Sequence, residues 1–239
     1  MSDTQSVSDH MHSLIDAWQT SGDRREIFLS CYAMMTDNMQ TAIEDGQFED
    51  NRWVSSLLHR FAGYYFNALT AYDHDPSSAP TVWQIAFSAS RLPHTHVLQN
   101  LGLGVNAHIN YDLVFALSDM LAPEWPDLSL DQRQSRYRDH CRVNAIISQT
   151  IDAVQDQVVD RYDAAMALAD KLMGPLDEWF TARLITDWRE HVWKNATHLI
   201  QSQVESERQL VQEVVEKRAL ERARSILGEL GVAGLIDLL

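Results

Sequence analysis

The amino-acid sequence predicts an all-α protein, a multi-helix bundle around one buried central helix (about 97–121) with a long C-terminal helix. Apolar residues recur at spacings of three and four through most of the chain, which is the periodicity of an α-helix. Only nine glycines and six prolines interrupt the 239 residues, too few for the many turns of an all-β protein. Hydrophobic residues make up 45% of the chain, so a sizeable core can form.

The central helix is predicted from Val97 to Leu121 because its apolar residues cover every direction of a helical wheel. These residues are Leu98, Leu101, Leu103, Val105, Ile109, Leu113, Val114, Phe115 and Leu117. A helix that is apolar all round is enclosed by protein. We therefore expect other helices to surround this segment.

Turn-forming residues divide the rest of the chain into further predicted helices. These helices cover residues 9–18, 27–43, 50–72, 81–89 and 130–172, and a last helix is expected from 176 to 227. The sequence then predicts three parts, which are a disordered tail (1–8), a helical bundle domain (9–200) and a charged helical extension with an apolar tail (201–239). Because the apolar stripe of the extension is thin, two interpretations stay open. It packs back on the bundle, or it forms an antiparallel or dimeric helix pair that makes a homodimer.

Composition excludes several classes of protein. The net charge is −15, which repels a phosphate backbone, so nucleic-acid binding is not expected. The most basic stretch, 217–224, is interrupted by glutamates and is interpreted as a solvated helix face. No run of apolar residues is long enough for a membrane span, and residues 1–13 lack the apolar core of a signal peptide. Two cysteines supply no disulfide framework, so a cytoplasmic location is expected.

Four polar residues interrupt the middle of the central helix and are the main candidates for function. Asn106 and Asn110 share one face, whereas His108 and Asp112 share roughly the opposite face. Burying such groups without partners costs about 1–3 kcal/mol each, so the fold or a ligand must supply partners. One interpretation is structural, with these side chains bridging neighbouring helices. The other makes His108 and Asp112 the catalytic acid–base residues, or two ligands of a divalent metal.

Additional residues could complete such a site. The candidate substrate contacts are Asn106, Asn110, Asn144, Arg189, Tyr64, Trp83 and Trp193, and Asp139 is a possible third metal ligand beside His108 and Asp112. A guanidinium near indole rings can bind a carboxylate or phosphate. The structural alternative for Arg189 is an ion pair with Asp112 or Asp139, and for the aromatic residues it is a place in the core. His94 and His96 could also bind a metal from a loop, but a role at the surface or at the start of the central helix is expected.

Several segments resemble one bacterial family. Residues 104–113 read G-V-N-A-H-I-N-Y-D-L, which matches the family pattern G-[IM]-N-A-H-I-N-x-D-L. Further matches are Phe61 to Leu69 (F-A-x-x-Y-F-x-A-L), Trp83 to Phe87, Asp139 with Asn144, and Arg189 to Ala196. The chain is thus similar to DUF5995 over about residues 24–200. This resemblance implies a helical fold and no established activity.

Three hypotheses about function follow. The first is an enzyme that uses His108 and Asp112 for acid–base chemistry on a small substrate with a polar head and an apolar body, with metal-assisted hydrolysis as a variant. The second is a small-ligand binding module without chemistry. The third is a structural or interaction protein that acts through residues 201–239. The sequence contains no nucleophile elbow, no phosphate-binding loop and no H-E-x-x-H motif, which disfavours common hydrolases, nucleoside triphosphatases and zinc proteases.

Overall fold

The computed structural model describes residues 3–154, 157–158 and 175–228, and over these residues the all-α prediction is confirmed. The elements are α1 (Asp3–Ser21), α2 (Glu26–Glu44), α3 (Asn51–His74), a 3₁₀ turn (Pro76–Ser78), α4 (Thr81–Ser90), α5 (Val97–Val105), a π-helix (Asn106–Asp112), α6 (Leu113–Leu121), α7 (Leu130–Val154), α8 (Pro175–Gln201) and α9 (Glu205–Ile226). Helix α1 begins at Asp3, within the segment that the sequence assigned to a disordered tail. None of the described helices is long and apolar enough to cross a membrane.

The chain divides into two compact units. Unit 1 consists of Met1–His59 and Ser129–Asp187, and unit 2 consists of Arg60–Leu128 and Trp188–Leu239. Unit 1 contains α1, α2 and α7, in which α2 packs against both of the others. The amide of Asn38 on α2 donates a hydrogen bond of 2.8 Å to the hydroxyl of Thr150 on α7, which fixes the register of these two helices.

The start of α3 in unit 1 is held by acidic side chains. Asp50 caps the helix, because its carboxylate accepts the backbone N–H of Trp53 at 2.9 Å. Asp139 of α7 accepts the backbone N–H groups of Glu49 and Asp50 at 2.8 and 2.9 Å. Both oxygens of this buried carboxylate therefore satisfy backbone donors ahead of α3, which gives Asp139 a structural task.

Unit 2 is built around the central helix, which is observed as one continuous run from Val97 to Leu121 formed by α5, the π-helix and α6. His96 caps its start, since the imidazole Nδ1 accepts the N–H of Leu98 while the side chain of Gln99 accepts the N–H of His96. Helices α4 and α9 both pack on this run. The predicted central helix is thus confirmed, and it lies in the core of unit 2.

The middle of the central helix differs from the α-helix that its periodicity indicates. Residues 106–112 form a π-helix, in which hydrogen bonds join residues five apart and widen the turn. Residues four apart still lie on one side of such a helix, so the pairing of the polar residues survives. The sequence pattern does not reveal this local change, because residues four apart share a side in an α-helix and in a π-helix alike.

The C-terminal helix is long, as predicted, but it is two helices rather than one. The expected run from 176 to 227 is interrupted where Val204 adopts an extended backbone with φ −106° and ψ 131°. The interruption lets α9 pack on α4, α5 and the π-helix, and it buries a stripe of small and apolar side chains, Val211, Val215, Ala219 and Ala223. For residues 205–226 the structure thus shows packing within unit 2. The predicted helix over 159–172 and the apolar tail after 228 lie outside the described residues.

Candidate functional site

The four polar side chains of the π-helix are all buried. Their exposed fractions are 0% for Asn106, 3% for His108, 6% for Asn110 and 1% for Asp112. They form two separate hydrogen-bonded groups, one with partners on α4 and the other with a partner on α9. The π-helix therefore carries two different polar environments on one short segment.

The first group joins His108, Asp112 and Trp83. The indole N–H of Trp83 on α4 donates to Oδ2 of Asp112 at 3.0 Å. The same oxygen lies 3.0 Å from Nδ1 of His108. The carboxyl group is thus held between an indole and an imidazole, which fixes the orientation of the His108 ring.

Aromatic rings surround this imidazole. Phe61 stacks on it with 3.5 Å between the ring centroids and 6° between the planes. Tyr65 and Trp83 lie with their centroids 6.2 and 6.1 Å from the His108 ring. The pair of titratable groups therefore sits in largely apolar surroundings.

These surroundings favour the uncharged forms of both groups. Burial lowers the pKa of His108 well below its usual value. Burial also raises the pKa of Asp112 well above the usual range of a carboxyl, and the hydrogen bond from Trp83 only partly opposes this rise. The two groups can share a proton without placing a net charge in the core.

The second group consists of amides and connects the central helix to α9. The side-chain amide of Asn106 donates to the backbone oxygen of Ala219 at 2.9 Å, and that of Asn110 donates to Oδ1 of Asn106 at 3.0 Å. About two turns earlier, Gln99 donates to the backbone oxygen of Ile226 at 3.1 Å. These bonds satisfy buried polar groups on both helices, which is the structural interpretation for the two asparagines.

The remaining predicted site residues are distributed over both units. Arg189 and Trp193 are buried on α8 in unit 2. Tyr64, half-buried on α3, donates its hydroxyl to Asp119 at 2.8 Å. Asp139 and Asn144 lie on α7 and belong to unit 1, whereas His108 belongs to unit 2. Of the predicted site residues, His108 and Trp83 are the two that hydrogen-bond to Asp112.

A divalent metal is not supported by this geometry. The described ranges contain no group of three His, Cys, Asp or Glu side chains that could hold a metal ion. Of the three predicted ligands, Asp139 already binds two backbone N–H groups, and Asp112 already accepts from Trp83. The side chains present therefore do not fit a metal at this place.

Sequence reasoning missed a second feature of unit 2, a cleft beside Asn110 that we call the arginine cleft. Its polar lining consists of Asn110, His191, Asn195, Arg218 and Arg222. The charge pattern of 217–224 predicts a solvated helix face, yet Arg222 is only partly exposed. The spacing of four between its two arginines is the signal that could have indicated a shared face.

Comparison with known proteins identifies one family. A family model described as a family of unknown function (DUF5995) matches residues 4–229, which is nearly the whole chain. No curated protein and no solved structure matches the chain significantly. The fold and the π-helix described above are therefore features of a chain that belongs to the DUF5995 family.

Proposed function

We propose that the protein is an enzyme that acts on a small substrate, with His108 as the general acid or base and Asp112 as the group that orients it. One observation carries this proposal: Oδ2 of Asp112 is held by Trp83 and contacts Nδ1 of His108, each at 3.0 Å. A base whose ring is fixed by a carboxyl, itself fixed by a third group, is a recurrent arrangement in acid–base and nucleophilic catalysis.

The local structure adds two further arguments. Short π-helices occur frequently at functional sites, and here one carries both members of the pair. The lowered pKa of His108 keeps its imidazole neutral near pH 7, so that it can accept a proton from a substrate. The raised pKa of Asp112 lets its carboxyl hold or release a proton in the same step.

Access to His108 depends on Phe61. The imidazole is 3% exposed, and the ring stacked on it belongs to a side chain that is itself only half-buried. A substrate would therefore reach His108 where the Phe61 ring moves aside, and its apolar body would contact Tyr65 and Trp83. Arg189 and Trp193 of the same unit are further candidate contacts, whereas the amides of Asn106 and Asn110 are turned towards α9 and each other.

A second candidate function is interaction without chemistry. It is favoured by the same low exposure of His108 and Asp112, which a purely structural network also explains. Helix α9 supplies the surface, since Leu210 is 60% exposed. Under this alternative the polar groups only specify packing, and pairing with a partner or a second copy of the chain would occur through residues 201–239.

The experiment compares the wild type with His108→Gln in a turnover screen. A mixture of small esters, amides and phosphoesters with apolar bodies is incubated with each protein, and mass spectrometry measures which compounds are consumed. We expect the wild type to consume at least one compound class at a rate that falls by about 100-fold or more in His108→Gln. His198→Gln is the matched control, because His198 is exposed on α8 of the same unit.

Two results would contradict the enzyme proposal. One is equal consumption by the wild type and a folded His108→Gln protein. The other is a Phe61→Ala protein that consumes nothing although diethyl pyrocarbonate now labels His108, since an accessible imidazole would then be inactive. Circular dichroism of each variant shows whether the fold is retained.

A further inference from the structure

We infer that the arginine cleft is a binding site for a small oxyanion, of the phosphate or carboxylate type. It lies in unit 2, where α8 and α9 meet the π-helix at Asn110. Its position on the amide side of the π-helix separates it from the His108–Asp112 pair, so this inference does not depend on the proposed enzymatic function.

The lining side chains converge from three elements. Arg218 and Arg222 are four residues apart on α9, and His191 and Asn195 are four residues apart on α8. Each pair therefore occupies one face of its helix, one turn apart. The buried amide of Asn110 on the π-helix completes the lining. The two guanidinium groups of α9 thus face the same small space as the polar side chains of α8, as in sites that bind planar or tetrahedral oxyanions. Asn110 borders this space, while its Nδ2 donates to Asn106.

Within the described ranges neither arginine forms an ion pair, although the nearby charge of Glu221 favours the charged form of Arg222. Among the residues that the structure describes, no carboxylate lines the cleft, and the ion pair of this stretch joins the neighbouring side chains Lys217 and Glu221 at 3.9 Å. Two guanidinium groups on one face repel each other where they are partly removed from water. Burial, with the charge of Arg218 as a further cause, lowers the pKa of Arg222. An anion between them would relieve that repulsion, although the chain as a whole carries a net charge of −15.

Unsatisfied donors provide an independent argument. The Nε–H of Arg222, a residue that lines the cleft, is buried and has no hydrogen-bond acceptor among the described residues. The indole N–H of Trp188, a neighbour outside the lining, is unsatisfied in the same way. The guanidinium of Arg222 lies over the Trp188 ring, 5.5 Å from its centroid. Leaving buried donors unpaired is costly, and a bound oxyanion offers acceptor oxygens with the charge that an arginine prefers.

The size of the cleft limits the ligand. Its enclosed volume is about 10 Å³, which is the space of a single water molecule. An oxyanion would therefore bind at the open mouth of the cleft, with one of its oxygens in the enclosed space and the rest of the group in solvent. Two arginines favour a dianion over a monoanion, so phosphate is expected to bind more tightly than a carboxylate.

The test measures binding of inorganic phosphate and of acetate to the full chain by isothermal titration calorimetry at low ionic strength. We expect phosphate to bind, and we expect Arg218→Gln to weaken that binding at least about tenfold, because a charge-assisted contact is lost. Arg218 is exposed, so this change should leave the fold intact. Lys217→Gln is the matched control on the adjacent residue, and its affinity should stay within about twofold of wild type.

The affinities for the two anions and the responses of the variants distinguish the possible outcomes. Tighter phosphate than acetate binding, lost in Arg218→Gln and in Arg222→Lys, supports a dianion site that uses the fork of Arg222. Equal binding of both anions with the same loss supports a carboxylate or phosphate head group without selectivity. No binding at millimolar phosphate and acetate would overturn the inference. So would phosphate binding that Arg218→Gln and Lys217→Gln weaken equally, since the anion would then respond only to surface charge.

Discussion

The two sides of the π-helix share seven residues of backbone and differ in nearly everything else. On one side, His108 and Asp112 are enclosed by aromatic rings, and burial favours their uncharged forms. On the other side, amides bind the backbone of α9, and the arginines beyond Asn110 keep their charge. The difference shows that burial among aromatic rings suppresses the charge of a carboxyl and an imidazole, whereas guanidinium groups keep theirs because their pKa is high.

The two sides of the π-helix also differ in the partners that satisfy their hydrogen bonds. On the aromatic side both the donor and the acceptor of each hydrogen bond are side chains. Removing one of these side chains therefore leaves another without its partner inside the core. The amide side uses backbone oxygen as the final acceptor. Stability should therefore fall more after a substitution on the aromatic side than after one on the amide side.

The largest effect is expected for Asp112→Ala. This change leaves the indole N–H of Trp83 and Nδ1 of His108 without their shared acceptor, and it should lower the free energy of unfolding by about 3–5 kcal/mol. Asp112→Asn keeps the shape and resembles the uncharged carboxyl, so a loss of only about 1 kcal/mol is expected. Urea denaturation measures both. Equal losses in the two variants would show that the carboxyl acts through its charge.

On the amide side, Asn106→Ala should cost about 2 kcal/mol. It removes the donor to Ala219 and the acceptor for Asn110, which leaves one backbone oxygen and one amide unsatisfied. The same urea experiment measures this loss, and Asn67→Ala is the control because Asn67 is exposed on α3 and should change stability by less than about 0.5 kcal/mol. A loss in Asn106→Ala no greater than in the control would mean that these bonds do not hold α9.

The pH dependence of stability should distinguish the aromatic side. Because the pKa of Asp112 is raised in the folded protein, its contribution is present below the usual carboxyl pKa and is lost as pH rises through the raised value. The free energy of unfolding of the wild type relative to Asp112→Asn should therefore fall with rising pH, by at most about 1.4 kcal/mol per unit. His108 acts in the opposite sense, since its lowered pKa gives stability that is lost as pH falls below its usual value.

Urea curves at several pH values between about 4 and 8 measure this difference. A gap between the two proteins that stays constant with pH would show that the carboxyl titrates as it does in the unfolded chain. The arginine side has no comparable titration, because guanidinium groups keep their charge over the whole range. The slope is thus a property of one side of the π-helix.

Much of the architecture follows from local patterns in the sequence. The limits of the central helix, the helix starts near Glu26 and Asn51 and the two faces of polar residues all depend on spacing along the chain, and spacing is visible in the sequence. The π-helix, the interruption at Val204 and the role of Asp139 depend on contacts between residues that are far apart in sequence. The arginine cleft was missed for the same reason, because its lining comes from three separate elements.

The sequence alone determined that the chain is helical, that residues 97–121 form a central helix with a buried middle, and that His108 and Asp112 lie on the opposite side of that helix from Asn106 and Asn110. Only the tertiary structure decided what each side meets: Trp83 and Phe61 on one side, the backbone of α9 on the other. The physical reason is that helix periodicity records which residues avoid water, whereas protonation and ligand binding depend on the particular groups that replace that water.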